Sequence, residues 1–509
     1  MAVVNTSLPG NRTEPAPIRH PKFNREFRVL RQPDGIYQSE YEMDSAGKTI
    51  FATTHKLEYA VGSGVNGISY IARRSDHLFQ APLSFYSRSQ EWGLSPGYEL
   101  ADYGFNRTIA PACIACHSGQ PQTVAARDGL FRDPPFRELP IGCENCHGPG
   151  RLHVAERARG AGGADDSIVN PRRLPARMAE DICMNCHQGG DARVLQPGKD
   201  YFDFRPGTWL NDTLAIFKVR GAGESEADLL EHHTAMKSSR CYTASSGKLS
   251  CLTCHDVHSS PAPEQVASYY RAKCLTCHSD SDCRLPTRER NIRRPANDCA
   301  GCHMSKREVT VISHSALTNH RISVASRKRD PLTAAHELVH LNPPGKPGPN
   351  DLPALTLFQA YGELMDKQPA FEERYTILLE QLRKDQPNNP LVLAAYGRKL
   401  LRDSSPQVDP RAIEALSQAL ASGSTAPSTF QDLGDALSRA GRIEEAVKTL
   451  EQGIAIAPYA AVLYKSLTSR LIALKQHERA YQTMKRYVEL FPEDSFMRGI
   501  LQKAEQLAR

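Results

Sequence analysis

The sequence predicts a mainly α fold in three parts, with a small antiparallel β unit at its N-terminus. Three observations lead to this prediction. Short apolar runs between turn residues occupy residues 1–110, Cys-x-x-Cys-His motifs crowd residues 111–325, and amphipathic helical periodicity fills residues 353–509. The Pro- and Gly-rich segment at 326–352 is interpreted as a linker between the last two parts.

Four apolar segments predict the strands of the N-terminal β unit. They lie at 26–30, 49–53, 68–71 and 78–86. Pro33-Asp-Gly and Ser45-Ala-Gly supply turn residues between them, as is typical of antiparallel strands joined by short loops.

Length and composition limit the classes of protein to which this chain can belong. The chain has 509 residues, which favours two or three domains. Only 40% of the residues are hydrophobic and 7% are aromatic, so the core built from side chains should be modest. A net charge of +6 with 24% charged residues does not favour nucleic acid as a partner. No apolar run approaches the length of a membrane span.

Twelve of the fourteen cysteines form six Cys-x-x-Cys pairs, each followed directly by a histidine. The cysteines are Cys113, Cys116, Cys143, Cys146, Cys183, Cys186, Cys251, Cys254, Cys274, Cys277, Cys299 and Cys302. The histidines are His117, His147, His187, His255, His278 and His303. In this pattern two thiols bond the vinyl groups of one haem, and the histidine binds its iron as proximal ligand. The sequence therefore predicts six covalently bound haem c groups and an irregular hexahaem domain of short helices around them.

Zinc binding and redox disulfides are the alternatives for these motifs. A zinc ribbon does not need a histidine directly after each cysteine pair. A thioredoxin-like motif occurs singly beside a βαβ pattern, which this sequence lacks. In bacteria, haem c is attached after export, so we expect a periplasmic or extracellular protein. A signal peptide is expected with it, although Met1-Ala-Val-Val-Asn-Thr-Ser lacks the charged and apolar regions of one.

Each iron offers a second axial position, for which the other histidines are candidates. A distal histidine gives six-coordinate iron suited to electron transfer, whereas an open position admits a substrate. Distal candidates are His153, His232, His233, His258, His314 and His320, with His20, His55 and His77 further upstream and Met236 as a weaker thioether ligand. His153 and His258 follow proximal histidines so closely that we expect them to bind neighbouring haems.

Cys241 and Cys283 belong to no motif. In an oxidising compartment two remaining thiols favour a disulfide, which would enclose the fourth and fifth motifs. Two unpaired thiols are the alternative.

Two further motifs match known patterns poorly. Gly62-Ser-Gly-Val-Asn-Gly67 matches a dinucleotide fingerprint, but the residues after it are typical of a strand rather than a helix, so we interpret it as a turn. His336-Glu-Leu-Val-His340 matches a zinc-protease pattern that needs a sustained helix. Pro343 and Pro344 follow at once, so we interpret this segment as part of the linker.

The C-terminal part contains a repeat of 34 residues. Ala446 and Ala480 are separated by this interval, and so are Pro458 and Pro492. The spacing is typical of the tetratricopeptide repeat, which stacks helix pairs into an α-solenoid. Such arrays usually dock partners, although a helical prop for the motif region is the alternative.

The order of features resembles multihaem cytochromes with a terminal tetratricopeptide array from environmental bacteria. The motif region is similar to the tetrahaem cytochrome that accepts electrons from hydroxylamine oxidoreductase. The segments that carry the resemblance are Val61-Gly-Ser-Gly, Leu94-Ser-Pro-Gly-Tyr, Cys143-Glu-Asn-Cys-His-Gly-Pro-Gly, Gly247-Lys-Leu-Ser-Cys-Leu-Thr-Cys-His-Asp-Val-His and Cys299-Ala-Gly-Cys-His-Met-Ser-Lys. The resemblance implies electron transfer, bis-histidine haems and a redox partner. Six motifs instead of four mean that no haem geometry is carried over.

Three functions follow as hypotheses. The first is an electron carrier without enzyme activity, in which every iron has two protein ligands. The second is a conducting filament, in which a histidine such as His20 binds a haem of the next subunit. The third is a multihaem oxidoreductase for a nitrogen or sulfur oxyanion, with one open haem. The histidine that ends every motif favours the carrier over the enzyme.

Overall fold

The computed structural model describes residues 1–4, 14–87, 89–101, 103–160, 162–163, 166–220, 231–306, 318–323, 337–343, 352–404 and 407–507. The strands are β1 (Ala2–Val3), β2 (Ile18–Arg19), β3 (Glu26–Gln32), β4 (Gly35–Met43), β5 (Thr49–Val61), β6 (Gly67–Arg74), β7 (His77–Gln80), β8 (Leu83–Tyr86), β9 (Glu91–Leu94), β10 (Gln120–Thr123), β11 (Phe131–Glu138), β12 (Ala192–Leu195), β13 (Leu214–Arg220) and β14 (Glu337–His340).

The helices begin with the short α1 (Pro111–Ile114) and lengthen towards the C-terminus. They continue as α2 (Cys143–His147), α3 (Arg151–Ala158), α4 (Ala176–His187), α5 (His232–Lys237), α6 (Arg240–Ala244), α7 (Cys251–Cys254), α8 (Val266–Cys274), α9 (Thr287–Ile292), α10 (Cys299–His303), α11 (Ala354–Leu364), α12 (Glu372–Asp385), α13 (Pro390–Asp403), α14 (Pro410–Ala421), α15 (Pro427–Arg439), α16 (Ile443–Ile456), α17 (Ala461–Ala473), α18 (His477–Leu490) and α19 (Ser495–Leu507). Within the described ranges, no helix is both long enough and apolar enough to cross a membrane.

The chain forms two compact units. The first combines residues 1–141 with 373–509, and the second comprises 142–372. This division differs from the four consecutive segments that the sequence suggests, because the C-terminal helices pack on the N-terminal strands. Tyr459, between α16 and α17, lies 4.8 Å from Phe79 of β7 between ring centres.

The predicted β unit is present in unit one as an antiparallel, barrel-like sheet. Its strand order is β2-β3-β4-β5-β6-β8-β9, with β1 paired to β5 and β7 paired to β6. The side chains of β3 alternate between the core and the surface. Phe27 and Val29 are buried, whereas Arg28 between them is partly exposed. The strands β10 and β11 form a separate pair after α1.

The glycine-rich motif at 62–67 is the turn between β5 and β6, which are antiparallel neighbours. Gly62 has a φ of 116°, and a Cβ there would lie 2.7 Å from the Gly67 carbonyl oxygen. Glycine is needed for the turn itself, so the interpretation as a strand connection rather than a nucleotide site is confirmed.

The C-terminal helices of unit one form the predicted repeat. Helices α15 and α17 begin at 427 and 461, and α16 and α18 begin at 443 and 477, a period of 34 residues in both cases. Ala446 and Ala480 are buried at equivalent positions, where small side chains let paired helices approach. The fold is therefore mixed, with a β sheet, a region of short helices and tetratricopeptide-type helix pairs.

Unit two contains a three-stranded sheet, β12-β13-β14, with a core on it. Strand β14 lies within the segment that we interpreted as a linker, and its Leu338 packs on that core. Helix α11 also packs here, burying Ala360 and Leu364 against β12 and β13. The linker interpretation of 326–352 therefore misses a strand, because four residues between proline-rich stretches are enough to complete a small sheet.

Candidate haem sites

All six motifs lie on helical turns. We number them sites 1 to 6 in chain order, by the proximal histidines His117, His147, His187, His255, His278 and His303. They occupy α1, α2, the end of α4, α7, the end of α8 and α10 with the residues that follow them. Residues three apart share one face of a helical turn, so both cysteines of each pair point in the same direction. This arrangement suits two thioether bonds to one porphyrin.

The cysteines are accessible to a large ligand. None of the fourteen forms a disulfide, and none is buried. Free cysteine is normally among the most buried residue types, so this exposure is unusual for a protein of this size. The thiols are therefore placed for covalent attachment rather than for a side-chain core.

The region around sites 4 to 6 has almost no core of its own. Across residues 241–306 only Arg290 is buried, and no apolar side chain is. Apolar side chains beside the motifs are instead exposed, including Val257 at 61% and Ile292 at 71%. A segment of this length cannot fold stably without burying apolar surface. Porphyrins at these sites would supply that surface, so the residues fit the group.

Three proximal histidines each lie against a histidine that the sequence predicts as distal ligand. The ring centres of His147 and His258 are 6.0 Å apart with 16° between planes, and those of His187 and His232 are 5.5 Å apart with 17°. His255 and His320 are 6.3 Å apart with 35°. Two imidazoles that bind one metal from opposite sides, with nitrogens about 2 Å from it, have ring centres about 6 Å apart.

The ring nitrogens are oriented for this role. His147 donates from Nδ1 to the Val169 carbonyl at 2.8 Å, and His320 donates from Nδ1 to the Thr318 carbonyl at 2.9 Å. Each bond leaves Nε2 as the lone-pair nitrogen that can bind iron. His255 Nδ1 lies 3.2 Å from the Tyr270 hydroxyl. Sequence reasoning missed these partners, since a backbone carbonyl leaves no signal in the sequence.

Electrostatics favours the neutral, ligating form of the imidazole at His117, His187, His255 and His320, where burial lowers the pKa of each ring. The neighbouring His255 adds to the lowering of the His320 pKa. Neutral imidazole is the form that binds metals, so no proton needs to be displaced near neutral pH.

Sites 3 and 4 are direct neighbours. The rings of His232 and His320 stack with centres 4.3 Å apart. The Cys183 thiol of site 3 lies beside the Cys251 thiol of site 4, and this neighbour together with burial raises the pKa of Cys183 well above its usual range. Two contacts therefore bring these motifs together, although the 63 residues 188–250 separate them along the chain.

Several predicted distal ligands have other roles. Both ring nitrogens of His20 are used, since Nδ1 accepts from the Lys22 and Phe23 amides and Nε2 donates to the Tyr98 carbonyl at 2.7 Å. His233 is buried, with Nε2 2.8 Å from the Glu180 carboxylate. These partners occupy both ring nitrogens of His20 and Nε2 of His233, so the distal roles of the two residues stay predictions.

We assign none of the remaining distal candidates to an iron. His55 packs on Phe105, and partial burial beside Arg74 lowers the pKa of His55 to about 4. His77 is paired with Asp76 at 2.7 Å. His153 lies half-buried on α3. Met236 is buried on α5, and His314 lies outside the described residues.

The predicted disulfide between Cys241 and Cys283 is absent, since both cysteines are free. Cys241 is partly buried and Cys283 is exposed.

The zinc-protease pattern at 336–340 is also excluded as a helix-borne site. Residues Glu337–His340 form β14, and His336 lies outside the described residues. Successive side chains of a strand alternate between faces, so the helical arrangement that this pattern requires does not form.

Residues 244–282, which contain sites 4 and 5, match the model of a family described as a doubled CXXCH motif. This stretch is therefore a motif region of the multihaem cytochrome c type, in which the cysteines hold haem c covalently. No curated protein matches the chain.

Among solved structures, the helical array is similar to tetratricopeptide proteins. The crystal structure of MamA is 19% identical and covers 28% of this chain and 82% of its own, with a TM-score of 0.25. MamA from Desulfovibrio magneticus RS-1 is 16% identical over 28% and 78%, with a TM-score of 0.24. The first TPR of Spaghetti (RPAP3), bound to an HSP90 peptide, is 21% identical over 24% and 94%, with a TM-score of 0.22. The repeat assignment rests on the helix spacing rather than on these weak likenesses.

Proposed function

We propose that this protein is an electron carrier with six covalently bound haem c groups. The observation that carries the proposal is the pairing of His147, His187 and His255 with second imidazoles at distances that suit one iron between each pair. Bound haem supplies a one-electron centre whose potential depends on axial ligands, burial and hydrogen bonds. Two histidines on an iron would leave no position for a substrate, so the histidine pairs at sites 2 to 4 support electron transfer rather than catalysis.

The residues that would hold the iron are His147 and His258 at site 2, His187 and His232 at site 3, and His255 and His320 at site 4. In each pair the distal histidine comes from a different part of the chain. His258 lies three residues beyond the proximal histidine of site 4, so the segment that carries site 4 would also supply a ligand to site 2. Sharing a segment in this way would tie the two sites together.

Site 4 is the centre of the proposed electron path. It adjoins site 2 through His258 and site 3 through the contacts of His232 with His320 and of Cys183 with Cys251. Tyr270, on the helix that leads into site 5, contacts His255. Electrons that enter at any of these sites can therefore pass through site 4.

The proposed location is the periplasm or the cell exterior, where haem c is attached in bacteria. The helical array is proposed as the docking module for a redox partner, because arrays of this repeat generally bind proteins along one face. The array belongs to the same compact unit as site 1.

The covalent haem count tests the proposal. Mass spectrometry of the purified protein, with the haem absorbance of the denatured chain, is expected to give six haems. Changing Cys274→Ser and Cys277→Ser together should reduce the count to five. The matched control changes Cys241→Ser and Cys283→Ser, which lie outside the motifs and should leave the count at six. A wild-type count below six, or a loss in the control, contradicts the proposal.

A further inference from the structure

The proximal histidine of site 4 is oriented by a side chain. His255 Nδ1 lies 3.2 Å from the hydroxyl oxygen of Tyr270. At site 2 the equivalent nitrogen of His147 instead donates to the backbone carbonyl of Val169. A backbone carbonyl is present at every residue, whereas this hydroxyl depends on tyrosine at position 270. The chemistry of site 4 is therefore tied to one side chain.

The rings of His255 and Tyr270 also pack together. Their centres are 5.6 Å apart and their planes meet at 69°, so the edge of one ring faces the other. The torsion that rotates an imidazole about its bond to Cβ has broad energy minima, so contacts decide where the ring points. A hydrogen bond and a ring contact with the same neighbour therefore restrain the imidazole of His255.

The hydrogen bond also fixes which nitrogen of His255 carries the proton. An imidazole that binds a metal through Nε2 keeps its proton on Nδ1, so Nδ1 donates and the Tyr270 oxygen accepts. Donation from Nδ1 makes Nε2 a more basic ligand. A more basic ligand stabilises oxidised iron relative to reduced iron, and hydrogen bonding around the axial ligands is one of the means by which a protein sets the potential of a haem.

Tyr270 links site 4 to site 5 as well. It lies on α8, four residues before Cys274, which is the first cysteine of site 5. Residues four apart lie on the same face of a helix, one turn from each other. The helix that carries site 5 therefore also carries the hydroxyl that orients the proximal histidine of site 4.

We propose that Tyr270 is a positioning residue that holds the imidazole of His255 and lowers the reduction potential of the haem at site 4. The inference rests on the electron-carrier function proposed above, in which site 4 adjoins its neighbours. The alternative is a purely structural role, in which Tyr270 supports His255 through ring packing alone. The two roles are separable, because packing needs the ring and the hydrogen bond needs the hydroxyl.

The test compares Tyr270→Phe with Tyr269→Phe in the full-length, haem-loaded protein. Tyr270→Phe keeps the ring and removes the hydrogen-bond acceptor. At the potential that half-reduces the site 4 haem of the wild type, the ratio of reduced to oxidised haem should rise about three- to tenfold. This change is about 30–60 mV, at 59 mV for each factor of ten. Potentiometric titration followed by absorption and electron paramagnetic resonance measures it.

Tyr269→Phe is the matched control. It removes a hydroxyl from the adjacent residue, which is similarly half-buried and whose ring packs against Lys273. This variant should shift no haem potential. Both variants should keep six covalent haems, which mass spectrometry checks.

The low-spin signal of site 4 is identified as the one that His320→Ala removes. Haem potentials in Tyr270→Phe that all equal those of the wild type overturn the inference, and so does an equal shift in Tyr269→Phe. A shift at a haem other than the one that His320→Ala converts also overturns it. If His320→Ala removes no low-spin signal, the axial pairing of the proposed function fails, while a shift confined to Tyr270→Phe still supports the role of Tyr270.

Discussion

At the residue scale, His147 and His320 share one hydrogen-bonding arrangement. Each donates from Nδ1 to a backbone carbonyl, so that Nε2 keeps the lone pair that can bind a metal. The sequence identified both histidines as ligand candidates from the motifs and their surroundings. It could not separate them from His20 and His233, because the distinction depends on hydrogen-bond partners that are distant in sequence, such as Tyr98 and Glu180.

The variant His258→Ala tests the pairing with His147. Loss of the distal ligand should convert one iron from six-coordinate low-spin to five-coordinate high-spin and allow it to bind carbon monoxide. Absorption and electron paramagnetic resonance spectra measure this change. The control is His477→Ala, an exposed histidine at the start of α18. Unchanged spin states in His258→Ala would show that His258 binds no iron.

At the scale of elements, helix packing in the array depends on small residues at defined positions. A Cβ on Gly453 of α16 would lie 2.9 Å from side-chain atoms of Phe430, whereas a Cβ on Gly499 of α19 meets nothing within 4 Å. The 34-residue period predicted the helices, but the close approach at Gly453 is seen only in the three-dimensional structure. The period alone does not say which glycine is at a contact.

These two glycines give opposite predictions. Gly453→Ala should destabilise the protein by about 1–3 kcal/mol, because the added methyl group overpacks the helix contact. Gly499→Ala should stabilise it by about 0.5–1 kcal/mol through helix propensity. Urea unfolding followed by far-ultraviolet circular dichroism measures both. Destabilisation of the same size in both variants would contradict the packing argument.

A buried ionic cluster joins α19 to the sheet of unit one. Arg498 pairs with Glu42 of β4, and Arg25 pairs with Glu42 at 2.7 Å and with Glu40 at 3.2 Å. The side chains of Arg25, Glu40 and Glu42 are at most 10% exposed. This cluster explains why N-terminal and C-terminal segments form one unit, which sequence order did not reveal.

Removing one cation from this cluster should be costly. Arg498→Met leaves two buried carboxylates with one arginine, and we expect a loss of about 3 kcal/mol. Arg479→Met removes an exposed pair with Glu451 and should cost less than about 1 kcal/mol. Urea unfolding compares the free energies of unfolding of the two variants, which the midpoints report when the dependence of that free energy on urea concentration is the same in both. Equal effects would mean that the buried cluster does not hold α19 to the sheet.

The whole molecule combines two kinds of core. Unit one and the sheet of unit two have ordinary apolar clusters, and the periodicity of the sequence predicted the strands and helices of unit one but not the sheet of unit two. Residues 241–306 have none, as expected from the density of motifs. The sequence could not show that β14 completes a sheet or that Cys241 and Cys283 stay unpaired, because both depend on long-range placement.

Hydrogen exchange on the haem-free chain tests this division. When the protein is produced without haem attachment, amides in 241–306 should exchange rapidly, since that segment lacks an apolar core. Amides of α15 to α18 should remain protected as in the loaded protein. Full protection of 241–306 without haem would contradict the view that porphyrins form its core.

The most direct test of the central claim is the spin state of the irons in the purified, oxidised and reduced protein, with and without carbon monoxide. For an electron carrier, all irons are expected to be six-coordinate and low-spin, and carbon monoxide should not bind. A high-spin fraction of about one sixth that binds carbon monoxide would reveal an open haem. That result would contradict the claim and favour the oxidoreductase hypothesis.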